Sequence, residues 1–226
     1  FPTRRSSDLP GLRIDTVAGD DVINVIEHAQ NLVISGTSTD LAAGSTVTVT
    51  INGKSYSASV LADGSWQAAV PAADVSRWAD GSLTISASAQ DTSGNPVNIG
   101  TVVDVDLAPV AISINSVTDD NVLNAAEKGQ DLVLSGSSSN VEAGQTVTII
   151  LAGKTWTTTV DANGDWTCTV PAADLSGLKD GDASVQVSVT NVNGNAASSS
   201  QAFSVDTAAP AVTINTISGD NMLNAA

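Results

Sequence analysis

The chain has 226 residues and a formal net charge of −16, from 8 basic and 24 acidic side chains. This charge argues against binding to nucleic acids, since that requires clustered Lys and Arg, and no apolar run is long enough to span a membrane. Hydrophobic residues make up 42% of the chain, only 3% of it is aromatic, and turn formers are abundant, so the composition predicts an all-β protein of short strands.

The first nine residues, Phe1-Pro-Thr-Arg-Arg-Ser-Ser-Asp-Leu9, match nothing elsewhere in the chain. They resemble the translation of a common sequencing-adapter oligonucleotide joined to a genuine reading frame. Residues 1–11 are therefore interpreted as non-native sequence with a lead-in, and a native basic linker is the alternative. The chain also lacks an initiator Met and stops inside a repeat at Ala226, so we expect an internal piece of a longer protein.

Alternating apolar and polar residues over positions 12–106 predict seven short strands. Asn52-Gly53 predicts a hairpin turn, because both residues tolerate positive φ, and residues 71–81 form a longer crossover. The pattern is typical of an immunoglobulin-like β-sandwich. The first predicted strand contains Ile14, and the others cover residues 32–37, 45–51, 55–60, 66–70, 83–89 and 101–105.

The same pattern returns one hundred positions later. Asp20-Asp21-Val-Ile-Asn24 corresponds to Asp120-Asn121-Val-Leu-Asn124, and residues 70–74 recur as residues 170–174. A period of this length matches a complete domain and is too long for a solenoid unit.

We therefore expect tandem immunoglobulin-like sandwiches arranged end to end. Module 1 covers 12–106, module 2 covers 107–207, and 208–226 begin a truncated third module. The linkers are so short that neighbouring modules must touch, and Pro109 and Pro210 stiffen them by fixing φ.

Four tryptophans and one cysteine bear on the cores. Trp66 and Trp166 are predicted to lie inside the two sandwiches, and Cys168, on the same face as Trp166, is interpreted as a buried small hydrophobe. Trp78 and Trp156 are predicted to be partly exposed. A single cysteine excludes an intrachain disulfide.

Residues for catalysis are missing from the sequence. The one histidine, His28, corresponds to Lys128 in the second copy, so it is interpreted as a surface residue rather than a catalytic base. There is no phosphate-binding glycine loop and no Cys/His cluster for zinc. We therefore predict that the chain is not an enzyme.

The acidic loops are more informative once they are placed on the sandwich. We letter the seven predicted strands A to G in chain order. Because they alternate in direction, the A–B, C–D and E–F connections lie at the C-terminal pole of a module, and the B–C, D–E and F–G loops lie at its N-terminal pole. The junction between the modules then collects oxygen-bearing side chains from both. These are Asp20, Asp21, Asn24, Glu27 and Asp106 of module 1, and Asn191, Asn193, Asn195, Asp161, Asn163 and Asp165 of module 2.

Converging carboxylates are costly unless a cation joins them, and Ca²⁺ accepts about six to eight oxygen ligands in flexible geometry. We therefore predict structural calcium at the module junctions. In the alternative interpretation these residues are turn formers and helix caps, with Asp20 or Asp21 capping the turn at residues 24–29. The candidate ligands at the two junctions are Asp20, Asp21, Asn24, Glu27, Asp106, Asp120, Asn121, Glu127 and Asp206.

Several motifs together resemble the bacterial immunoglobulin-like repeats of giant type I-secreted adhesins, the biofilm-associated and non-fimbrial adhesins of Gram-negative bacteria. The motifs are Ala-Asp-Gly-Ser-Trp at 62–66, Val-Pro-Ala-Ala-Asp at 70–74, Asp-Thr-Ser-Gly-Asn at 91–95, Asp-Thr-Ala-Ala-Pro at 206–210 and Gly-Asp-Asn-Met-Leu-Asn-Ala-Ala at 219–226. The resemblance implies a rod-like stalk, calcium at the junctions, and a location on the bacterial cell surface or in the biofilm matrix.

The leading functional hypothesis is a structural spacer of a large surface adhesin, stiffened by calcium and supporting cell adhesion and biofilm formation. Its partners are then the neighbouring repeats of the same chain, with any host-surface or matrix ligand bound elsewhere in the parent protein. The runner-up is a module whose own loops bind a glycan or host protein, for which Trp78 and Trp156 are the only exposed aromatic candidates. A glycosidase accessory module is a third and weaker interpretation.

Overall fold

The computed structural model describes residues 10–215, and these form two β-sandwiches joined in tandem. Residues 1–9, most of the segment interpreted as non-native, and residues 216–226, part of the predicted third module, lie outside the described residues. The strands of module 1 are β1 (Gly11–Ile14), β2 (Val22–Ile23), β3 (Leu32–Thr39), β4 (Thr46–Ile51), β5 (Lys54–Ser59), β6 (Ser65–Val70), β7 (Gly81–Gln90) and β8 (Pro96–Val105).

Module 2 repeats this order. Its strands are β9 (Ala111–Ile112), β10 (Val122–Asn124), β11 (Leu132–Ser139), β12 (Thr146–Leu151), β13 (Lys154–Thr159), β14 (Asp165–Val170), β15 (Gly181–Thr190) and β16 (Ala196–Asp206). The helical segments are single turns: a 3-10 helix at Glu27–Ala29, and α1 (Ala72–Val75), α2 (Ala125–Lys128) and α3 (Ala172–Leu175). No helix within residues 10–215 is long and apolar enough to cross a membrane.

Each module packs a three-stranded sheet against a five-stranded one. In module 1 the orders are β1-β3-β6 and β2-β8-β7-β4-β5, and module 2 has the equivalent orders β9-β11-β14 and β10-β16-β15-β12-β13. Neighbouring strands are antiparallel except for β2 with β8 and β10 with β16, which are parallel. The predicted fold class, tandem immunoglobulin-like sandwiches in an all-β chain, is confirmed.

The predicted seven strands omitted β2. It has two residues, too few to show a period-2 alternation, and it is held by pairing with the last residues of β8, Val22 with Asp104 and Ile23 with Val105. β8 also begins earlier than predicted, at Pro96, since a proline is tolerated at the first position of a strand.

The cores confirm most of the side-chain predictions. Trp66 and Trp166 are 0% and 2% exposed, Cys168 is buried, and Trp156 is half-buried. The prediction for Trp78 was wrong, because this side chain is only 4% exposed.

Trp78 is buried because of the crossover that carries it. It lies three residues after the buried Val75 of α1, and its N–H donates to the Val75 carbonyl at 3.0 Å, so both side chains turn toward the core. His28 Nε2 donates to the Trp78 carbonyl at 3.0 Å. Lys128 Nζ bonds the Leu178 carbonyl in the same way in module 2. His28 and Lys128 therefore make the same backbone contact at equivalent positions of the two modules.

Candidate functional site

The C-terminal pole of module 1 ends in two neighbouring strand ends. β2 and β8 run in parallel, and the Asp106 N–H donates to the Ile23 carbonyl at 3.0 Å, so Asn24 and Asp106 leave the sheet side by side. Glu27 joins them because its Oε2 accepts the Asn24 N–H at 3.1 Å. Three of the predicted ligands are thereby brought together.

The β15–β16 loop of module 2 contacts this pole directly. Asn193 Nδ2 donates to Asp106 Oδ2 at 2.6 Å, and Asn195 Nδ2 donates to the Asp106 backbone carbonyl at 3.0 Å. The Val25 N–H donates in turn to Asn195 Oδ1 at 2.9 Å. We call this contact the joint, formed by residues 24, 25 and 106 of module 1 and residues 193–195 of module 2.

The loop is shaped from within by Asn191. Its Oδ1 accepts the N–H groups of Asn193 at 3.1 Å and Asn195 at 2.9 Å, and the Asn191 N–H donates to the Asn195 carbonyl at 2.9 Å. Asn191 and Asn195 are 6% and 4% exposed. Gly194 completes the turn with φ +83°, and a Cβ added there would lie 2.9 Å from Asn24 Nδ2. The loop therefore meets module 1 as a closely fitted surface.

The linker is held by carboxylates, of which Asp106 was predicted at the junction whereas Asp80 and its equivalent Asp180 were not. Asp80 Oδ1 accepts the Leu107 N–H at 2.7 Å, and Asp106 Oδ1 accepts the Ala108 N–H at 3.0 Å. In module 2, Asp180 accepts both the N–H and the hydroxyl of Thr207, at 3.1 and 2.6 Å. The repeated Asp-Gly at positions 80 and 180 was the available signal. These bonds fix the direction in which the chain leaves each module.

Beside the joint lies a groove of about 390 Å³ with a largely apolar lining. Val25 and Ile26, on its module 1 side, are 49% and 58% exposed. The groove is lined by Val25, Ile26, Leu107, Ala108, Pro109, Val110, Asn195 and Ala196.

Asp20 and Asp21 lie apart from the joint, at the other end of β2. Their carboxylates accept the N–H groups of Val22 at 3.0 Å and Val17 at 2.8 Å. Asn24 follows Asp21 by three positions across the two-residue strand β2, which is about 10 Å at the rise of a strand. The residues that lead into the 3-10 turn are held by Asn24, whose Oδ1 accepts the N–H groups of residues 26 and 27.

Module 2 repeats this arrangement at its own C-terminal pole. Asn124 pairs with Asp206 in register, and Glu127 accepts the Asn124 N–H at 3.0 Å to complete a capping box. Asp120 and Asn121 lie at the start of β10, and the N–H of Val122 holds the pKa of Asp120 below its usual range. Asn124, Glu127 and Asp206 therefore form the equivalent set at the second pole.

The D–E turn of module 2 was also expected at the junction. Its carboxylate bonds are internal, since Asp161 Oδ1 accepts the N–H groups of Asn163 at 2.8 Å and Asp165 at 3.0 Å. The side-chain hydrogen bonds to Asp106 of module 1 come from the neighbouring β15–β16 loop instead.

The candidate ligand atoms of Asn24, Glu27 and Asp106 are oxygens, the type that calcium prefers. The hydrogen bond from Asn193 is the main cause that holds the pKa of Asp106 below its usual range, against the raising effect of partial burial. Within residues 10–215, however, no group of three or more Asp, Glu, His or Cys side chains is arranged to hold a metal ion. A cation at the joint would therefore depend on Asp106 and Glu27, with Asn24 and backbone carbonyls as further ligands.

Comparisons with known proteins agree with this architecture. The family described as bacterial Ig-like domain matches residues 113–207. No curated protein sequence is significantly similar to the chain.

Two similar solved structures come from ice-binding adhesins. One, a Ca²⁺-stabilized adhesin of an Antarctic bacterium that binds ice, is 34% identical, with 94% of this chain and 53% of that chain covered and a TM-score of 0.59. The other, a 1.5-MDa bacterial ice-binding adhesin studied for its retention at the host cell surface, is 32% identical, with 94% and 70% covered and a TM-score of 0.51. The chain thus spans about half the length of the first of these structures.

Fibronectin(III)-like modules of Clostridium thermocellum CbhA also match, at 14% identity, with 87% of this chain and 94% of that chain covered and a TM-score of 0.51. At that identity the similarity concerns the fold alone.

Proposed function

Because the chain belongs to the bacterial immunoglobulin-like domains of large adhesins, we propose that it is a stalk segment that holds a more distal part of a bacterial surface protein away from the cell. The observation that carries this proposal is the joint, in which the second module is hydrogen-bonded directly to the end of the first. Modules in such contact transmit orientation along the chain, as a spacer requires.

The proposed units are module 1 at 12–106, module 2 at 107–207 and the start of a third at 208–226. The proposed location is extracellular, at the bacterial surface, in support of cell adhesion and biofilm formation. The partners are neighbouring repeats of the same chain. Binding of a host-surface or matrix ligand belongs to other parts of the parent protein.

Structural calcium at the joints is the second part of the proposal. The donor chemistry of Asn24, Glu27 and Asp106 supports it, as does the description of a similar adhesin as Ca²⁺-stabilized. Bound calcium would add charge neutralisation and further restraint to strand ends that already lie together.

A calcium titration of the full chain tests this part. At a free calcium concentration of 100 times the Kd, binding to the folded state stabilises it by about 2.7 kcal/mol. The Tm should therefore rise when calcium is added and fall again when chelator is added. Small-angle scattering should report an elongated particle throughout. If the Tm ignores both calcium and chelator, the calcium assignment is wrong, whereas a compact scattering profile would contradict the stalk.

Glu27→Gln separates metal binding from capping. The amide keeps an oxygen that accepts the Asn24 N–H but removes the charge, so in chelator its Tm should equal that of the wild type while its gain from calcium is reduced. Asp63→Asn is the matched control, because the Asp63 carboxylate bonds Ser65 in the D–E turn, away from the joint.

The alternative of a glycan- or protein-binding module has lost support. It rested on two exposed aromatic residues, and Trp78 is buried while Trp156 is half-buried. A glycan array probed with the full chain would revive it by showing specific binding.

A further inference from the structure

We propose that the carboxamides of Asn193 and Asn195 form a clamp that holds the two modules in one mean orientation without a metal ion. This inference goes beyond the stalk role: it assigns the geometry of the joint to side chains of one loop and makes calcium an addition to a contact that already exists. It also identifies what kind of module end this loop accepts.

Asn195 is the centre of the clamp because one side chain satisfies two parts of module 1. Its Nδ2 donates to the Asp106 carbonyl at 3.0 Å, and its Oδ1 accepts the Val25 N–H at 2.9 Å. The carboxamide therefore bridges the ends of two parallel strands, β2 and β8. Because Asn195 is only 4% exposed, these bonds are shielded from competition with water.

Asn193 adds a charge-assisted bond, from its Nδ2 to Asp106 Oδ2 at 2.6 Å. Hydrogen bonds to ionised groups are stronger than those between neutral groups. An amide N–H placed against Asp106 in this way meets the negative charge without a cation.

Gly194 permits the close approach of the loop. A Cβ at this position would lie 2.9 Å from Asn24 Nδ2, whereas a Cβ added at the corresponding Gly94 has no described residue beyond its two chain neighbours within 4 Å. Both glycines have a positive φ, +83° and +84°, so the two positions differ in their contact with a neighbouring module rather than in backbone conformation.

The loop discriminates between module ends by charge. The corresponding loop of module 1 has Asp91 and Ser93 where module 2 has Asn191 and Asn193. Asp91 Oδ1 accepts the N–H groups of Ser93 and Asn95, both at 2.8 Å, just as Asn191 accepts those of Asn193 and Asn195. An aspartate at 191 would thus keep the loop shape while placing a second carboxylate near Asp106. The loop of module 2, whose polar side chains at 191, 193 and 195 are all neutral asparagines, is suited to a preceding module that ends in aspartate.

The test measures the distance between two spin labels in the full chain by pulsed EPR. Labels are attached at Ser57→Cys and Thr157→Cys, which are exposed on β5 and β13, and the native thiol is removed as Cys168→Ala, since module 1 has Ala68 at that position. In chelator the otherwise unaltered chain should give one narrow distance peak. The double variant Asn193→Ala/Asn195→Ala and the single variant Gly194→Ala should lose that peak. Gly94→Ala, with the same backbone strain and no contact across the joint, should retain it.

Asn191→Asp supplies a second readout. It should broaden the distance distribution in chelator, and added calcium should restore the narrow peak by bridging the two carboxylates. The clamp is refuted if, in chelator, the chain with Asn193, Gly194 and Asn195 intact gives a distance distribution as broad as that of the double variant. A narrow peak in chelator together with a Tm that ignores calcium would retain the clamp and refute only the proposed calcium.

Discussion

At the scale of single residues, each core is built around a tryptophan that fits against a glycine. Gly36 of β3 pairs with Trp66 of β6, and a Cβ at Gly36 would lie 1.9 Å from the Arg13 carbonyl oxygen and 2.4 Å from the Trp66 ring. Module 2 repeats the arrangement at Gly136, where a Cβ would lie 1.9 Å from the Ser113 carbonyl oxygen. A backbone oxygen on the adjacent strand cannot move aside as the end of a flexible side chain can.

Gly36→Ala should therefore destabilise module 1 strongly. Overpacking in a core that cannot relax costs about 3 kcal/mol, which would appear as a lower denaturation midpoint in urea. Gly100→Ala is the matched control, because its Cβ would meet nothing closer than the Ile85 carbonyl oxygen at 3.6 Å. The free energy of unfolding of that variant should stay within about 1 kcal/mol of the wild-type value, because the alanine also reduces the conformational entropy of the unfolded chain. Equal effects of the two substitutions would contradict this account.

The sequence predicted core positions on strands better than positions in connections. Trp66, Trp166 and Cys168 lie on strands in which buried and exposed residues alternate, so the inward direction of these side chains follows from the period of two. Trp78 follows a single helical turn, where no strand alternation applies, and its burial depends on how the crossover folds back on the sandwich. The same limit applies to Asn195: its position at the junction was predictable from strand direction, but its two bonds to module 1 were not.

At the scale of elements, the crossover after β6 is tied to the β4–β5 hairpin by an ion pair. Lys54, at the start of β5, places its Nζ 2.6 Å from an Asp74 carboxylate oxygen, and the Tyr56 hydroxyl donates to Asp74 Oδ2 at 3.1 Å. The Lys54 bond is the largest cause that holds the pKa of Asp74 below its usual range. Lys154 and Asp174 repeat the ion pair in module 2.

This tether should weaken in acid. A carboxyl whose pKa is lower in the folded state contributes stability that is full above its unfolded pKa, about 3.9, and is lost as the pH falls through the folded value. Asp74→Asn should therefore lower the urea midpoint of module 1 at neutral pH, and the difference from the wild type should vanish once the pH falls well below about 4. A difference that persists unchanged in acid would indicate a packing defect rather than a lost charge.

The parallel strands β2 and β10 show what the elements add beyond the sequence pattern. Each is two or three residues long, yet its pairing with the last strand of the module brings Asn24 beside Asp106, and Asn124 beside Asp206. The sequence reasoning grouped Asp20 and Asp21 with Asn24 because they are close along the chain. An extended segment separates them in space, because each residue of a strand advances the chain by about 3.3 Å.

At the scale of the whole molecule, the two modules have separate cores and meet at a hydrogen-bonded joint with an apolar groove beside it. The buried residues of the first core lie between Val17 and Val105, and those of the second between Ile112 and Val205. The joint is closed by hydrogen bonds of asparagine side chains rather than by a continuous apolar core. We therefore expect each module to unfold as its own cooperative unit, with the joint setting only the relative orientation.

Thiol labelling under native conditions can test whether the two modules open independently of each other. Cys168 is buried and its pKa is raised by that burial, so it should react only when module 2 opens. A second single-thiol chain, Ala68→Cys with Cys168→Ala, exchanges the residues of the two modules at equivalent positions and reports on module 1. Adding Gly36→Ala should raise the labelling rate at position 68 by about a hundredfold, the effect of roughly 3 kcal/mol on an opening equilibrium, and leave the rate at 168 unchanged. A parallel rise at both positions would mean that the polar joint couples the two cores into one unfolding unit.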